Sequence, residues 1–94
     1  MLKNKYILEK LKKRMDILIH TRKSCDRCYQ AIELCDRAGL EYTVRETEPD
    51  EMLETYPNFA GNSYPYTIVD GKEIGDLLAT AKFFLREGLV SVPK

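Results

Sequence analysis

The sequence has no long hydrophobic run, no recognisable secretion signal and only one histidine. No apolar stretch approaches the roughly 20 residues that a membrane-spanning helix needs, so we expect a soluble protein. The amino terminus is interrupted by lysines and lacks the continuous apolar segment and small-residue cleavage site of a secretory signal, which predicts a cytoplasmic location. The 94 residues contain no repeats, low-complexity tracts or linkers and therefore fit one folded domain.

Charge is balanced over the whole chain but not along it. The net charge is zero, yet residues 1–14 contain six basic residues and a single acidic residue, Glu9. Apolar residues recur there every three to four positions, which predicts an amphipathic helix whose Leu8 and Leu11 face packs on the rest of the protein. We interpret its basic residues as a solvated face, the alternative being a segment that attracts an acidic partner, nucleic acid or an anionic surface. The expected organisation is a basic N-terminal helix, residues 1–14, and a domain of residues 15–94.

Three cysteines, Cys25, Cys28 and Cys35, lie within eleven residues of one another. In a cytosolic protein such spacing is more often catalytic or metal-binding than part of a disulfide framework. Structural zinc needs four ligands, and only Cys35 and His20 could join the pair. Cys35 lies about 10 Å further along the same predicted helix, too far to share an ion, so we expect no metal. We interpret Cys35 as a buried apolar filler and His20 as a packed or half-exposed residue at the end of a strand.

Strands and helices are predicted to alternate along the chain. We predict strands over 15–20 and 40–45, the second with one buried face, and a hairpin in "YTIVDGKEIG", since Asp-Gly between β-forming residues favours a two-residue turn. We predict helices over 28–38, 49–56 and 77–87, the last capped by Asp76. A strand, helix, strand unit implies a parallel pair, to which the hairpin adds two antiparallel strands. The expected fold class is therefore α/β, a four-stranded mixed sheet with helices on both faces.

The Cys25-Asp26-Arg27-Cys28 segment gives its two thiols different roles. Cys25 is expected at or before the first helical turn, where free backbone N–H groups and the helix dipole favour a thiolate, while Cys28 faces inward. Arg22, Lys23 and Arg27 add positive charge, so we expect the pKa of the Cys25 thiol to lie below the usual value of about 8.5. The spacing also allows the two sulfurs to form a reversible disulfide.

Taken together, the motifs resemble those of the glutaredoxins, which are thiol-disulfide oxidoreductases. The resemblance covers about residues 15–88 and rests on the order strand, "HTRKSCDRC", helix, strand, helix, "SYP", hairpin, helix. It implies a thioredoxin-like fold in which Pro65 is cis and the backbone of Tyr64 pairs with a bound thiol substrate. It also implies that Arg22, Tyr64, Pro65 and Asp76 bind glutathione, with Arg22 holding a carboxylate and Asp76 the γ-glutamyl ammonium.

The function that the resemblance implies is that of a monomeric glutathione-linked oxidoreductase. Cys25 and Cys28 would be catalytic, glutathione the co-substrate, and protein disulfides, with ribonucleotide reductase among the candidates, the substrates. "IGDLLAT" keeps Gly75 and Asp76 but lacks the second glycine and paired acidic residues that many family members use for glutathione. This leaves open a redoxin that thioredoxin reductase reduces and that donates electrons to ribonucleotide reductase.

A third alternative is an iron–sulfur carrier, in which two chains share a cluster through Cys25 and two glutathiones. Dedicated carriers of the family resemble Cys-Gly-Phe-Ser, whereas a second thiol at Cys28 favours disulfide chemistry. No nucleic-acid or membrane partner is expected.

Overall fold

The computed structural model describes residues 15–89, and the predicted basic helix over 1–14 lies outside the described residues. The division of the chain at residue 14 therefore stays a prediction. The described elements are β1 (Ile17–Thr21), α1 (Asp26–Ala38), β2 (Thr43–Glu46), α2 (Pro49–Thr55), a 3₁₀ turn (Pro57–Phe59), β3 (Tyr66–Val69), β4 (Lys72–Gly75) and α3 (Leu77–Arg86). In this part of the chain, no helix is long and apolar enough to cross a membrane.

The four strands form one mixed sheet in the order β2-β1-β3-β4. β1 pairs with β2 in parallel, β1 pairs with β3 antiparallel, and β3 and β4 form an antiparallel hairpin. At the hairpin turn Asp70 has φ 52° and Gly71 has φ 79°, and two such left-handed residues are what a type I′ turn requires. The predicted α/β fold with a four-stranded mixed sheet is confirmed.

Helices cover both faces of this sheet because successive side chains of a strand point to opposite sides. On one face Ile17 and Ile19 pack in a cluster with Ala31 and Cys35 of α1 and with Phe84 of α3. On the other face lies a second cluster, formed by side chains from β3, α2 and the 3₁₀ turn together with the start of α1: Cys28, Met52, Phe59, Tyr64, Tyr66 and Ile68. The cysteine pair lies at the edge of this second cluster, next to the carboxyl end of β1.

The second strand differs from its prediction in both position and burial. β2 begins at Thr43 rather than Leu40, and all four of its residues are exposed although its alternating pattern predicted a buried face. The reason is topological, since β2 lies at one edge of the sheet and the described helices pack mainly on β1, β3 and β4. Leu40 is buried instead as part of the end of α1, where its N–H donates to the carbonyl of Cys35 in a Schellman motif around Gly39.

Cys35 is the packed apolar residue that the sequence predicts. Its side chain is 0% exposed and belongs to the cluster between the sheet, α1 and α3. Burial, together with the nearby charge of Asp36, raises the pKa of the Cys35 thiol to about 11. A thiol with this pKa stays protonated at neutral pH and is a poor nucleophile, so Cys35 has no part in the site described next.

Candidate active site

The cysteine pair lies at the amino end of α1, as the sequence predicts. Cys25 is the N-cap residue, with extended backbone, and its Sγ accepts a hydrogen bond of 3.1 Å from the N–H of Cys28. The two residues form a disulfide, and their Cα atoms are 5.2 Å apart. In the reduced protein the same N–H and the positive end of the helix dipole would stabilise a Cys25 thiolate.

Exposure distinguishes the two cysteines. Cys28 is only 2% exposed and packs in the cluster of Met52 and Tyr66, whereas Cys25 is partly exposed. A disulfide arriving from outside therefore meets Cys25, and Cys28 can be reached only through Cys25. This is the order that a nucleophile and a resolving thiol require.

A cleft of about 540 Å³ opens at Cys25, and we call it the cysteine cleft. Side chains of both charges line it: Arg22, Lys23 and Arg27 come from the turn before α1 and from its first turn, and Glu46 and Glu48 from the end of β2 and the residues after it. The Arg22 guanidinium lies over the Tyr64 ring, 5.6 Å from its centroid, which fixes one of these positive charges above the cleft.

The peptide bond between Tyr64 and Pro65 is cis, which confirms the expectation for Pro65. Tyr64 lines the cysteine cleft together with Cys25, and Pro65 is fully buried behind it. Within residues 15–89, neither the backbone N–H nor the C=O of Tyr64 makes a hydrogen bond to another backbone group. Both groups are therefore free to pair with a substrate chain lying in the cleft.

A buried polar network below the cleft holds Tyr64, and sequence reasoning did not predict it. The Tyr64 hydroxyl donates to the carbonyl of Thr47 at 2.5 Å, and the Thr47 Oγ1 lies 2.8 Å from Nδ1 of His20. The other ring nitrogen of His20, Nε2, lies 2.8 Å from the hydroxyl of Tyr56. The Thr47 hydroxyl also lies 3.3 Å from the carbonyl of Arg45, an arrangement that suits a His20 ring with its hydrogen on Nδ1 and with Nε2 accepting the hydrogen bond of Tyr56. No motif points to Thr47, whose partners lie 17 and 27 residues away.

Burial keeps the ring of His20 neutral. The side chain is 3% exposed, so of the two predicted alternatives, packed or half-exposed, the structure has the packed one. Burial and the charge of Arg45 lower the pKa of His20, and the charge of Glu51 opposes them. Burial also raises the pKa of the Tyr64 phenol, so that its hydroxyl stays protonated and donates to Thr47 at neutral pH.

Asp76 lies in a second depression rather than in the cysteine cleft. This depression, which we call the α1–α3 groove, has a volume of about 760 Å³ and runs between the two helices after which it is named. Arg27, Ser63 and Tyr64 line both the groove and the cleft, so the two depressions adjoin at these residues. Asp76 is the N-cap of α3, as predicted, because its Oδ1 accepts the N–H of Ala79 at 3.1 Å.

The structure thus distributes the predicted site residues over two connected depressions. Arg22, Cys25 and Tyr64 line the cysteine cleft, Cys28 and Pro65 are buried beside it, and Asp76 lies in the α1–α3 groove. Among the described residues no three His, Cys, Asp or Glu side chains are grouped so that they could hold a metal ion. The arrangement is suited to thiol chemistry at Cys25 with an extended ligand.

The fold is supported by its similarity to solved structures of other proteins. No protein-family model and no curated protein sequence matches the chain. A solution structure of glutaredoxin from Brucella melitensis is 23% identical, with a TM-score of 0.65 over 81% of this chain and 84% of that one. A buckwheat glutaredoxin, solved in complex with glutathione, is 20% identical, with a TM-score of 0.62 over 89% of this chain and 80% of that one.

The same fold also forms part of larger proteins. Glutathione transferase Omega 3C from Trametes versicolor is 17% identical, with a TM-score of 0.63 over 95% of this chain but only 41% of that one. The chain therefore has the thioredoxin-like fold of the glutaredoxins, as the sequence predicts. Since one fold carries several activities, the function has to be argued from the cysteine pair and its surroundings.

Proposed function

We propose that this protein is a thiol-disulfide oxidoreductase of the glutaredoxin type, with Cys25 as nucleophile and Cys28 as resolving thiol. The observation that carries the proposal is the placement of the pair, with one sulfur accessible at a helix N-cap and the other buried one turn on. Structural disulfides do not need this asymmetry, whereas stepwise exchange does.

In the first step the Cys25 thiolate attacks one sulfur of a substrate disulfide. A bond forms between Cys25 and that sulfur, the substrate S–S bond breaks, and the second substrate sulfur leaves as a thiolate that takes a proton from water. The N–H of Cys28 and the basic side chains of Arg22, Lys23 and Arg27 favour the attacking anion. The free backbone groups of Tyr64 would hold the bound half of the substrate in extended form.

In the second step Cys28 releases the bound half. Its thiolate attacks the Cys25 sulfur, the mixed disulfide breaks, and the substrate leaves as its second thiol. Two electrons have then passed from the dithiol to the substrate, and the protein is left with the Cys25–Cys28 disulfide that the structure contains. Two glutathione molecules restore the dithiol, the first by forming a mixed disulfide with Cys25 and the second by displacing it as oxidised glutathione.

Glutathione as electron donor is supported by residues along both depressions. Arg22 can pair with a carboxylate, the Tyr64 backbone with the cysteinyl part, and the second carboxylate oxygen of Asp76 with the γ-glutamyl ammonium. The buckwheat glutaredoxin of the same fold was solved with glutathione bound. We propose protein disulfides as the physiological substrates, with the protein acting as a cytoplasmic monomer.

One observation favours thioredoxin reductase as donor instead. Around Asp76 the α1–α3 groove is lined by Leu77, Leu78 and Ala81. Apolar side chains at this place cannot form hydrogen bonds or ion pairs with the charged ends of glutathione. A redoxin reduced by thioredoxin reductase would use the same chemistry of Cys25 and Cys28 and would need no binding site for glutathione.

The test compares two cysteine variants with a matched control under two electron donors. Cys25→Ser, Cys28→Ser and the control Cys35→Ala would be assayed on a glutathionylated disulfide, with glutathione and glutathione reductase or with thioredoxin reductase. We expect Cys25→Ser to lose all activity, Cys28→Ser to keep turnover with glutathione, and Cys35→Ala to match the wild type. Turnover with thioredoxin reductase but not with glutathione would show that thioredoxin reductase is the electron donor. A purified protein that is brown and dimeric would support the iron–sulfur carrier. Full activity of Cys25→Ser would refute the proposal.

A further inference from the structure

The α1–α3 groove is larger than the cysteine cleft, and of the charged residues around Cys25 only Arg27 is part of its lining. Both helices contribute to its walls beyond the shared residues, with Gln30, Glu33 and Leu34 from α1 and Leu77, Leu78 and Ala81 from α3. Glu33 also pairs with Arg37 at 3.3 Å, so the acidic group at this wall has a partner already. Asp76, also in the lining, caps α3 through its Oδ1, and the apolar part of the concave surface is formed by Leu34, Leu77, Leu78 and Ala81.

Leu78 is the unusual residue of this groove. Its side chain is 63% exposed, more than that of Leu85, the other exposed leucine of this helix, whereas Phe84 packs in the core. Covering an exposed leucine removes apolar surface from water and is favourable in proportion to the area covered. The groove would therefore bind an apolar side chain better than a polar one.

The position of the groove identifies what could occupy it. A polypeptide linked through its cysteine to Cys25 lies in the cysteine cleft, next to the free backbone groups of Tyr64. Tyr64, Ser63 and Arg27 border both depressions, so an extended chain that continues past Tyr64 enters the α1–α3 groove. Since each extended residue advances the chain by about 3.3 Å, we assign to this groove the side chains two or three residues from the cysteine.

We propose that the α1–α3 groove is a specificity subsite for protein disulfides. It binds an apolar side chain that lies two or three residues from the substrate cysteine, and it places that side chain against Leu34, Leu77 and Leu78. The inference rests on the proposed function and adds to it a sequence preference among substrates. A protein with this subsite reduces disulfides that have a nearby leucine or similar residue faster than disulfides in polar segments.

The experiment measures the reaction of the reduced protein with peptide disulfides, without any electron donor. Each probe is a symmetrical disulfide of two identical short peptides, with one cysteine in a serine and glycine background and one leucine before or after it. A peptide without leucine serves as the reference. The protein dithiol supplies two electrons, its cysteines become the disulfide, and two peptide thiols appear. The rate constants are obtained by acid quenching and chromatography.

The measured quantity is the ratio of the rate for a leucine peptide to the rate for the reference peptide. For the wild type we expect this ratio to reach about tenfold for at least one leucine position, as is typical of filling a small apolar pocket. In Leu78→Gln the ratio should fall to near one. Leu53→Gln is the matched control, because Leu53 is also an exposed leucine, 48%, but lies on α2 on the opposite face of the sheet. It should keep the wild-type ratio.

Three outcomes would overturn the subsite. The wild type could show no preference at any leucine position, the preference could persist in Leu78→Gln, or it could disappear equally in Leu53→Gln. Because each variant is compared with its own reference rate, partial unfolding does not imitate the expected result. The disulfide of 2-mercaptoethanol separates the two proposals. A wild type that reduces it without any peptide preference refutes the subsite alone, and one that reduces no disulfide refutes the proposed function as well.

Discussion

Lowering the pH from about 6.5 to 5.5 is expected to destabilise the oxidised protein through one side chain, His20. Burial and the charge of Arg45 lower the pKa of His20 in the folded protein. The unfolded chain therefore binds a proton in a pH range where the folded protein does not, and stability falls as the pH falls below the unfolded value of about 6.5. Protonation of Nε2 would also displace the hydrogen bond that it accepts from Tyr56.

The size of this effect has an upper bound. A difference of one bound proton changes the free energy of unfolding by at most about 1.4 kcal/mol per pH unit. Domains of this size are stable by only about 5–15 kcal/mol, so such a loss is measurable. His20 is the only histidine of the sequence, so replacing it removes the one imidazole to which the loss is assigned.

The assay is urea denaturation of the oxidised protein at several pH values between about 7.0 and 5.5, followed by circular dichroism. In the oxidised state Cys25 and Cys28 do not titrate, and the raised pKa of Cys35, about 11, removes that thiol from the range. His20→Gln and His20→Phe are the control variants. The free energy of unfolding of each variant can differ from that of the wild type, but it should not decrease in the same way as the pH falls. A wild type whose stability is constant over this range, or variants with the wild-type slope, would show that His20 is not the responsible group.

Two substitutions test the backbone and side-chain supports of the site. Tyr64→Phe keeps the ring under Arg22 but removes the hydroxyl that donates to Thr47, and it should cost about 1–2 kcal/mol in urea denaturation; an unchanged midpoint would mean that the bond contributes nothing. Gly75→Ala, at φ 128°, would place a Cβ atom 2.9 Å from the Cβ of Ala79, whereas the control Gly61→Ala, at φ 79°, meets no atom within 4 Å. We expect Gly75→Ala to be about 1–3 kcal/mol more destabilising than its control, and equal costs would contradict this reasoning.

Much of the fold could be predicted from local pattern. The helix after Cys25, its end at Gly39 and the cap at Asp76 all depend on neighbouring residues, so their signals are contained in short segments. The Asp70-Gly71 turn is equally local. The burial of β2 was predicted wrongly because alternation shows that a strand could bury one face, but not whether a neighbour covers it.

The candidate site was predicted in part for the same reason. The chemistry of Cys25 and Cys28 follows from their spacing at the start of a helix, and the cis bond before Pro65 follows from the resemblance carried by "SYP". The support of Tyr64 by Thr47 and His20 could not be predicted, because these residues come from three different loops and strands. The separation of Asp76 from the cysteine cleft was equally invisible in the sequence.

The sequence by itself therefore determined the order of the elements, the helix caps and the two unequal thiols, since each depends on contacts between residues close together in the chain. Only the tertiary structure decided which strand would be an exposed edge, which hydroxyl would support the cis-proline turn, and where a groove would continue from the cleft. These features depend on distances between residues far apart in the chain. Such distances are set by how the helices pack on the sheet, and no short segment of sequence contains them.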